Sequence, residues 1–122
     1  MKTIIAGSRT VTDERIVFTA IDASGFAGQI SQVVSGGCRG PDMIGERWAM
    51  AKHIPIKRFP AEFDRYGPKA GPMRNRSMAE YVGAHGALII VWDGKSRGSA
   101  SMIDYARAFG LRIYIHSTVP VA

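Results

Sequence analysis

Short apolar runs, each closed by a glycine-bearing turn and followed by a segment with helical spacing, recur along this chain. Lys2 to Ala6 (KTIIA) is β-branched and stops at Gly7-Ser8-Arg9, and Thr12-Asp13-Glu14 then supplies an N-cap and an acidic first turn. Val17, Ala20, Ile21 and Ser24 fall on one face of a helix predicted from about Asp13 to Ala27, and the chain turns back at Gly25 to Gly28. Gln29 to Ser35 (QISQVVS) predicts a second strand. It runs through Gly36-Gly37-Cys38-Arg39-Gly40-Pro41-Asp42 into a helix carrying Ile44, Trp48 and Ala51, with Pro41 suited to the first turn. A third short strand follows at Ile54 to Phe59.

Pro60 to Pro72 (PAEFDRYGPKAGP) is broken by Pro60, Pro68, Pro72, Gly67 and Gly71 and is predicted to be irregular over most of its length. Irregular connections this long usually have a functional reason. From Met73 a helix carries Met78, Tyr81 and Val82, and Ala87 to Trp92 (ALIIVW) predicts a central strand buried on both faces. Met102, Tyr105, Ala106 and Phe109 give the spacing of a last helix, which Gly110 ends, and Leu111 to His116 gives a fifth strand. The repeated β-α order predicts an α/β fold: a Rossmann-like, doubly wound parallel sheet of about five strands with helices on both faces. At 122 residues the chain is expected to form a single domain, 1–122.

Composition narrows the class only modestly. Apolar residues make up 46% and charged residues 21%, a globular balance. The run Ala87 to Trp92 is far below the roughly 20 residues of a membrane span, and the N-terminus is strand-like rather than a charged leader, so no membrane partner is expected. The single cysteine, Cys38, excludes an intramolecular disulfide framework and a cysteine zinc cluster, which fits a cytoplasmic setting. His53, His85 and His116 have no metal-ligand spacing, and neither metal nor cofactor is expected. The net charge of +6 favours anionic partners.

Open parallel sheets bind ligands beyond the carboxyl ends of their strands, and here three of those ends turn through glycine into a helix. The loops are Gly7-Ser8-Arg9, Gly36-Gly37 to Gly40, and Gly94 to Ser99. None is a P-loop or GxGxxG. Helix N-termini that share one rim nevertheless suit phosphate, because their unpaired N–H groups and the positive end of the dipole face the anion. Arg9, Arg39, Arg74, Arg76, Lys95 and Arg97 lie in or beside these segments, and the planar guanidinium matches phosphate geometry. Arg39, Arg76 and Lys95 read equally well as surface charge. Arg74 stands out because it opens a helix after the long connection. Cys38 reads as packing before it reads as a nucleophile. Trp48 and Met102 sit on helical core stripes, whereas Trp92 and Tyr66 are placed to stack a base.

The strand followed by GSR at Gly7 to Arg9, GGCRGPD at Gly36 to Asp42, AGPMRNRSM at Ala70 to Met78 and WDGKSRGS at Trp92 to Ser99 together resemble the YspA-like branch of the SLOG superfamily. The resemblance runs from Lys2 to about His116. It implies a Rossmann-like domain related to the Lonely Guy phosphoribohydrolases and the DprA/Smf DNA-processing proteins, and a nucleotide or nucleotide-derived ligand. By position, Gly36, Gly37, Gly40 and Asp42 resemble the family's first ligand-facing loop, Arg74 and Asn75 its arginine-bearing helix start, and Gly94, Ser96, Gly98 and Ser99 its second phosphate loop.

In the Lonely Guy enzymes that second loop carries a glutamate that helps break an N-glycosidic bond, and its place here is taken by Met102. Methionine can neither steady an oxocarbenium-like sugar nor activate water. The first expectation is therefore a binding domain that senses or sequesters its ligand through Gly7, Ser8, Arg9 and the three groups just named. The second is a phosphoribohydrolase-like hydrolase using Arg74, with Asp93 as the best placed of Asp42, Asp64, Asp93 and Asp104. Single-stranded nucleic-acid binding in the manner of DprA ranks third, because the basic residues gather locally instead of forming a stripe. The resemblance also implies a homodimer.

Overall fold

The structure is a computed structural model that describes residues 1–119. Five strands, β1 (Lys2–Gly7), β2 (Gln32–Ser35), β3 (Ile56–Arg58), β4 (Ala87–Trp92) and β5 (Arg112–Ser117), form one sheet in the order β3-β2-β1-β4-β5. Every pair is parallel, with Thr3 opposite both Val33 and Ala87. The alternation of buried side chains follows from the period of two along a strand. Ile4, Val34, Leu88 and Ile90 face one side, whereas Ile5, Val33, Ile89 and Val91 face the other.

Each apolar face is covered by its own pair of helices. Val17, Ala20 and Ile21 of α1 (Glu14–Ala23) and Ile44, Trp48 and Ala49 of α2 (Pro41–Ala51) pack on the Ile5 side. The Ile4 side receives Met78, Ala79 and Val82 of α4 (Ala70–Val82) with Met102, Ile103 and Ala106 of α5 (Arg97–Ala108). The chain forms the sheet from β1 outward to β3, then crosses to the other face and returns beside β1 as β4. That reversal between β1 and β4 is the topological switch point of the Rossmann-like arrangement. A single α/β domain with helices on both faces is what the repeated pattern predicted.

The local signals behave as expected at several boundaries. Asp13 caps α1, its carboxylate accepting from the Arg15 N–H at 2.9 Å. Pro41 occupies the first turn of α2, and Gly110 follows α5 with φ +77°. Other boundaries move. α1 stops at Ala23 rather than Ala27, because the Ser24 hydroxyl donates back to Ile21 O at 2.6 Å and accepts from Phe26 N, closing the end in a turn. β2 begins at Gln32 instead of Gln29, since Ala27–Gln29 form a single 3-10 turn.

The largest correction concerns Pro60 to Pro72. The segment holds a short helix α3 (Phe63–Tyr66), a 3-10 turn at Gly67–Lys69 and the first turn of α4, which begins at Ala70 and not at Met73. Pro68 and Pro72 both sit in first turns, where the missing N–H has no intrahelical partner to lose. Among the described residues no helix is long and apolar enough to cross a membrane.

Candidate functional site

A cavity of about 340 Å³ opens above the switch point, at the carboxyl ends of β1 and β4. Its floor is apolar: Ala6, Met78, Ile90 and Met102. Met102 is only 2% exposed and belongs to the core. The walls are polar and come from four segments. The loop after β1 gives Gly7, Arg9 and Thr10, the start of α2 gives Cys38 and Asp42, and α4 gives Arg74 and Asn75. The turn into α5 completes the ring with Asp93, Ser96, Gly98 and Ser99.

Arg74 is held from several sides. Its Nε donates to Asn75 Oδ1 at 3.0 Å, Nη1 donates to the carbonyl of Gly36 at 2.7 Å, and Nη2 points at Cys38 Sγ at 3.7 Å. A guanidinium has five N–H donors, so two remain beyond these three contacts. Asn75 in turn donates to Gly98 O at 3.3 Å and to Ser101 Oγ at 3.4 Å, which ties the Arg74 support to the start of α5. Gly36 makes this packing possible, because a Cβ there would lie 2.6 Å from Arg74 Nη1 and 2.9 Å from Asp42 Oδ2.

The two helix N-termini at the cavity are not equivalent. At α2, Pro41 has no N–H, and the chain supplies its own anion in Asp42, which is 4% exposed. Burial pushes the Asp42 carboxyl up to about 6, while Arg74 and the backbone N–H groups of Cys38, Gly36 and Gly7 pull the other way. At α5, Ser96 caps the helix by accepting from Ser99 N at 3.2 Å, and the Gly98 N–H in the first turn has no intrahelical partner. The Ser99 hydroxyl is the sole buried side-chain oxygen or nitrogen without a hydrogen-bond partner among the described residues, and Ser99 lies on the cavity wall. An unsatisfied buried hydroxyl costs about 1–3 kcal/mol, so a group that supplies a partner there is stabilising.

Asp93 holds the turn between β4 and α5. Its Oδ1 accepts from the N–H groups of Lys95 and Ser96, each at 2.8 Å, and its Oδ2 accepts from Thr10 Oγ1 at 3.1 Å. The N–H groups of Lys95 and Ser96 keep this carboxyl below the usual range, so it stays ionised. Ser8, read from sequence as a ligand residue, is 1% exposed and spent on the same turn: its hydroxyl accepts from Asp93 N at 3.0 Å.

Of the other sequence-derived residues, Gly7, Arg9, Asp42, Arg74, Asn75, Ser96, Gly98 and Ser99 converge on the cavity. Gly36 and Gly37 border an adjoining cleft instead. Gly40, with φ +86°, packs against the carbonyls of Ser8 and Val11, and Gly94, with φ +79°, lies in the exposed turn, so both shape backbone away from the cavity wall. Trp92 donates from Nε1 to Ser96 O at 3.1 Å and fastens the turn rather than facing the cavity. Tyr66 borders a separate hollow beside Met73 and Arg74. Sequence reasoning missed Thr10, whose only signal was its place just after Arg9, and it set Cys38 aside although the thiol faces both Arg9 and Arg74.

A family model described as the YspA, cpYpsA-related SLOG family matches residues 1–66, more than half of the chain. The matched part holds the loops after β1 and β2 and ends before Arg74 and the turn into α5. No curated protein and no solved structure matches the chain.

Proposed function

The chain belongs to the YspA, cpYpsA-related SLOG family, and from that premise we propose that it binds a nucleotide or nucleotide-derived ligand, sensing or sequestering it, with a phosphate at the start of α5. The observation that carries the reading is the partnerless Ser99 hydroxyl in the cavity wall at that helix start. Beside it stand the open Gly98 N–H and the two N–H groups that Arg74 has to spare. The start of α2 is already filled by Asp42, so the phosphate goes to α5 and not to the Gly36 loop. The apolar floor of Met78, Ile90 and Met102 takes the uncharged part of the ligand.

A second reading, a hydrolase that releases the base, draws on a different observation: Asp42 and Asp93 border one cavity with opposite tendencies to hold a proton. Two carboxyls whose environments separate them in this way are suited to divide proton transfer and charge stabilisation between them. Arg74 would then hold the phosphate, and Asp93, kept ionised by the Lys95 and Ser96 N–H groups, would face the sugar.

Thermal unfolding of the purified chain with and without nucleoside monophosphates, with base release followed by chromatography in the same samples, separates these readings. Binding raises the midpoint by linkage. Arg74→Ala is expected to abolish the rise, and Ser99→Ala to weaken affinity about tenfold, the loss of one hydrogen bond to a charged group. A midpoint unmoved by every nucleotide tried would overturn the binding reading. Released base that disappears in Asp93→Asn would replace it with the second.

A further inference from the structure

Arg74 stands between two hollows. On one side is the cavity above the switch point; on the other a cleft of about 410 Å³ opens between the end of β2 and the segment entering α3. Arg9, Cys38 and Arg74 belong to the walls of both. Resting on the nucleotide reading above, we propose that the cleft is a second ring subsite, so that the ligand is of dinucleotide type. Its linking phosphates pass Arg9 and Arg74, and its second base lies against Phe63.

Phe63 supplies the ring platform. It is 52% exposed on the rim of the cleft beside Pro60, and α3 buries none of its own residues. Aromatic surface left open next to guanidinium groups is what a flat, electron-rich ring stacks on. The neighbouring aromatics are already engaged: Phe59 packs on Tyr81 with ring centroids 5.3 Å apart, and Arg65 sits over the Tyr66 ring at 5.1 Å.

Charge points the same way. Three arginines border the cleft, Arg9, Arg58 and Arg74, and Arg58 is neutralised by Glu46 at 2.8 Å. Arg9 and Arg74 form no ion pair among the described residues, and both reach Cys38 Sγ, at 3.9 and 3.7 Å, from either side. The two guanidiniums lie where the two hollows meet, and Arg74 keeps two N–H groups beyond those given to Asn75, Gly36 and Cys38, which suits a linking phosphate rather than a terminal one. Gly37, with φ +74°, lines the cleft and leaves open space there, since a Cβ on it would meet nothing within 4 Å. Volume is in keeping with this, because a cavity of about 340 Å³ is of the size of a single-nucleotide site and the cleft of about 410 Å³ adjoins it through Arg9, Cys38 and Arg74.

Titration calorimetry on the full chain tests the proposal with AMP and GMP against their two-ring counterparts, diadenosine and diguanosine 5′-diphosphate. A two-ring compound is expected to bind at least tenfold tighter than its mononucleotide. Phe63→Ala should remove that gain while leaving mononucleotide affinity unchanged, and Phe63→Tyr should restore it. Because Phe63 is exposed, an unchanged melting midpoint for these variants verifies that they fold. If a mononucleotide binds and its two-ring counterpart binds no tighter, or if Phe63→Ala weakens both alike, the second subsite is overturned while the nucleotide reading stands. If neither class binds, both fall.

Discussion

Asp42 is the residue on which sequence and site interpret each other. A carboxylate two positions into a helix ordinarily stabilises its N-terminus. Here burial dominates and lifts the carboxyl to about 6. The folded chain therefore keeps a proton that the unfolded chain releases at about pH 4. Its contribution to stability is full below that value and is lost as pH rises through about 6. Asp13, lowered by Arg15, and Asp93, lowered by the N–H groups of Lys95 and Ser96, act in the opposite sense, and their contributions are lost only below the usual carboxylate range. Urea unfolding at about pH 4 and pH 7 is expected to show wild type losing up to roughly 3 kcal/mol relative to Asp42→Asn across the interval. A difference between the two proteins that does not change with pH would refute this account. The sequence identified Asp42 and Asp93 as cavity residues, but not their unequal protonation, which depends on how deeply the fold buries Asp42 and on the Lys95 and Ser96 N–H groups that the turn aims at Asp93.

Elements were legible where one principle governed them. β4 read as a strand because burial on both faces leaves six apolar residues in a row, and the four long helices read from their spacing. The stretch from Pro60 to Pro72 did not, because proline signals a break only in a helix interior, and Pro68 and Pro72 stand in first turns. Glycines divided in the same way: their positions at strand ends were plain, but their separate duties were not. Gly36 and Gly45 demonstrate the split. A Cβ at Gly36 meets the tips of Arg74 and Asp42, which can swing aside, so Gly36→Ala should cut nucleotide affinity about tenfold or more with under ~1 kcal/mol of stability lost. A Cβ at Gly45 lies 2.6 Å from Ile5 Cγ2 and 2.8 Å from Ile5 Cβ, where α2 rests on β1 and nothing can yield. Gly45→Ala should therefore lower stability by about 1–3 kcal/mol in urea titration and leave affinity intact. Equal effects of the two variants on binding would contradict the assignment.

For the whole molecule, the strand order sets a hierarchy of stability. β2, β1 and β4 are hydrogen-bonded on both edges, with β1 and β4 paired to each other along most of their length, whereas β3 and β5 each have a free edge among the described residues. In native-state hydrogen exchange the amides of β1 and β4 are expected to be the slowest and those of β3 and β5 faster, and an inverted order would mean that the sheet does not open from its margins. The same order has a consequence for a chain still being made. β1 pairs with β2 on one edge, but its other edge waits for Ala87 to Val91. The cavity walls likewise wait for Arg74 and for Ser99. A nascent chain leaving the ribosome therefore carries a half-bare central strand until β4 emerges, and it gains the start of α5 only after that. The cavity wall closes late in synthesis, so a product stalled before β4 has an incomplete cavity and an exposed strand edge for quality-control factors to recognise.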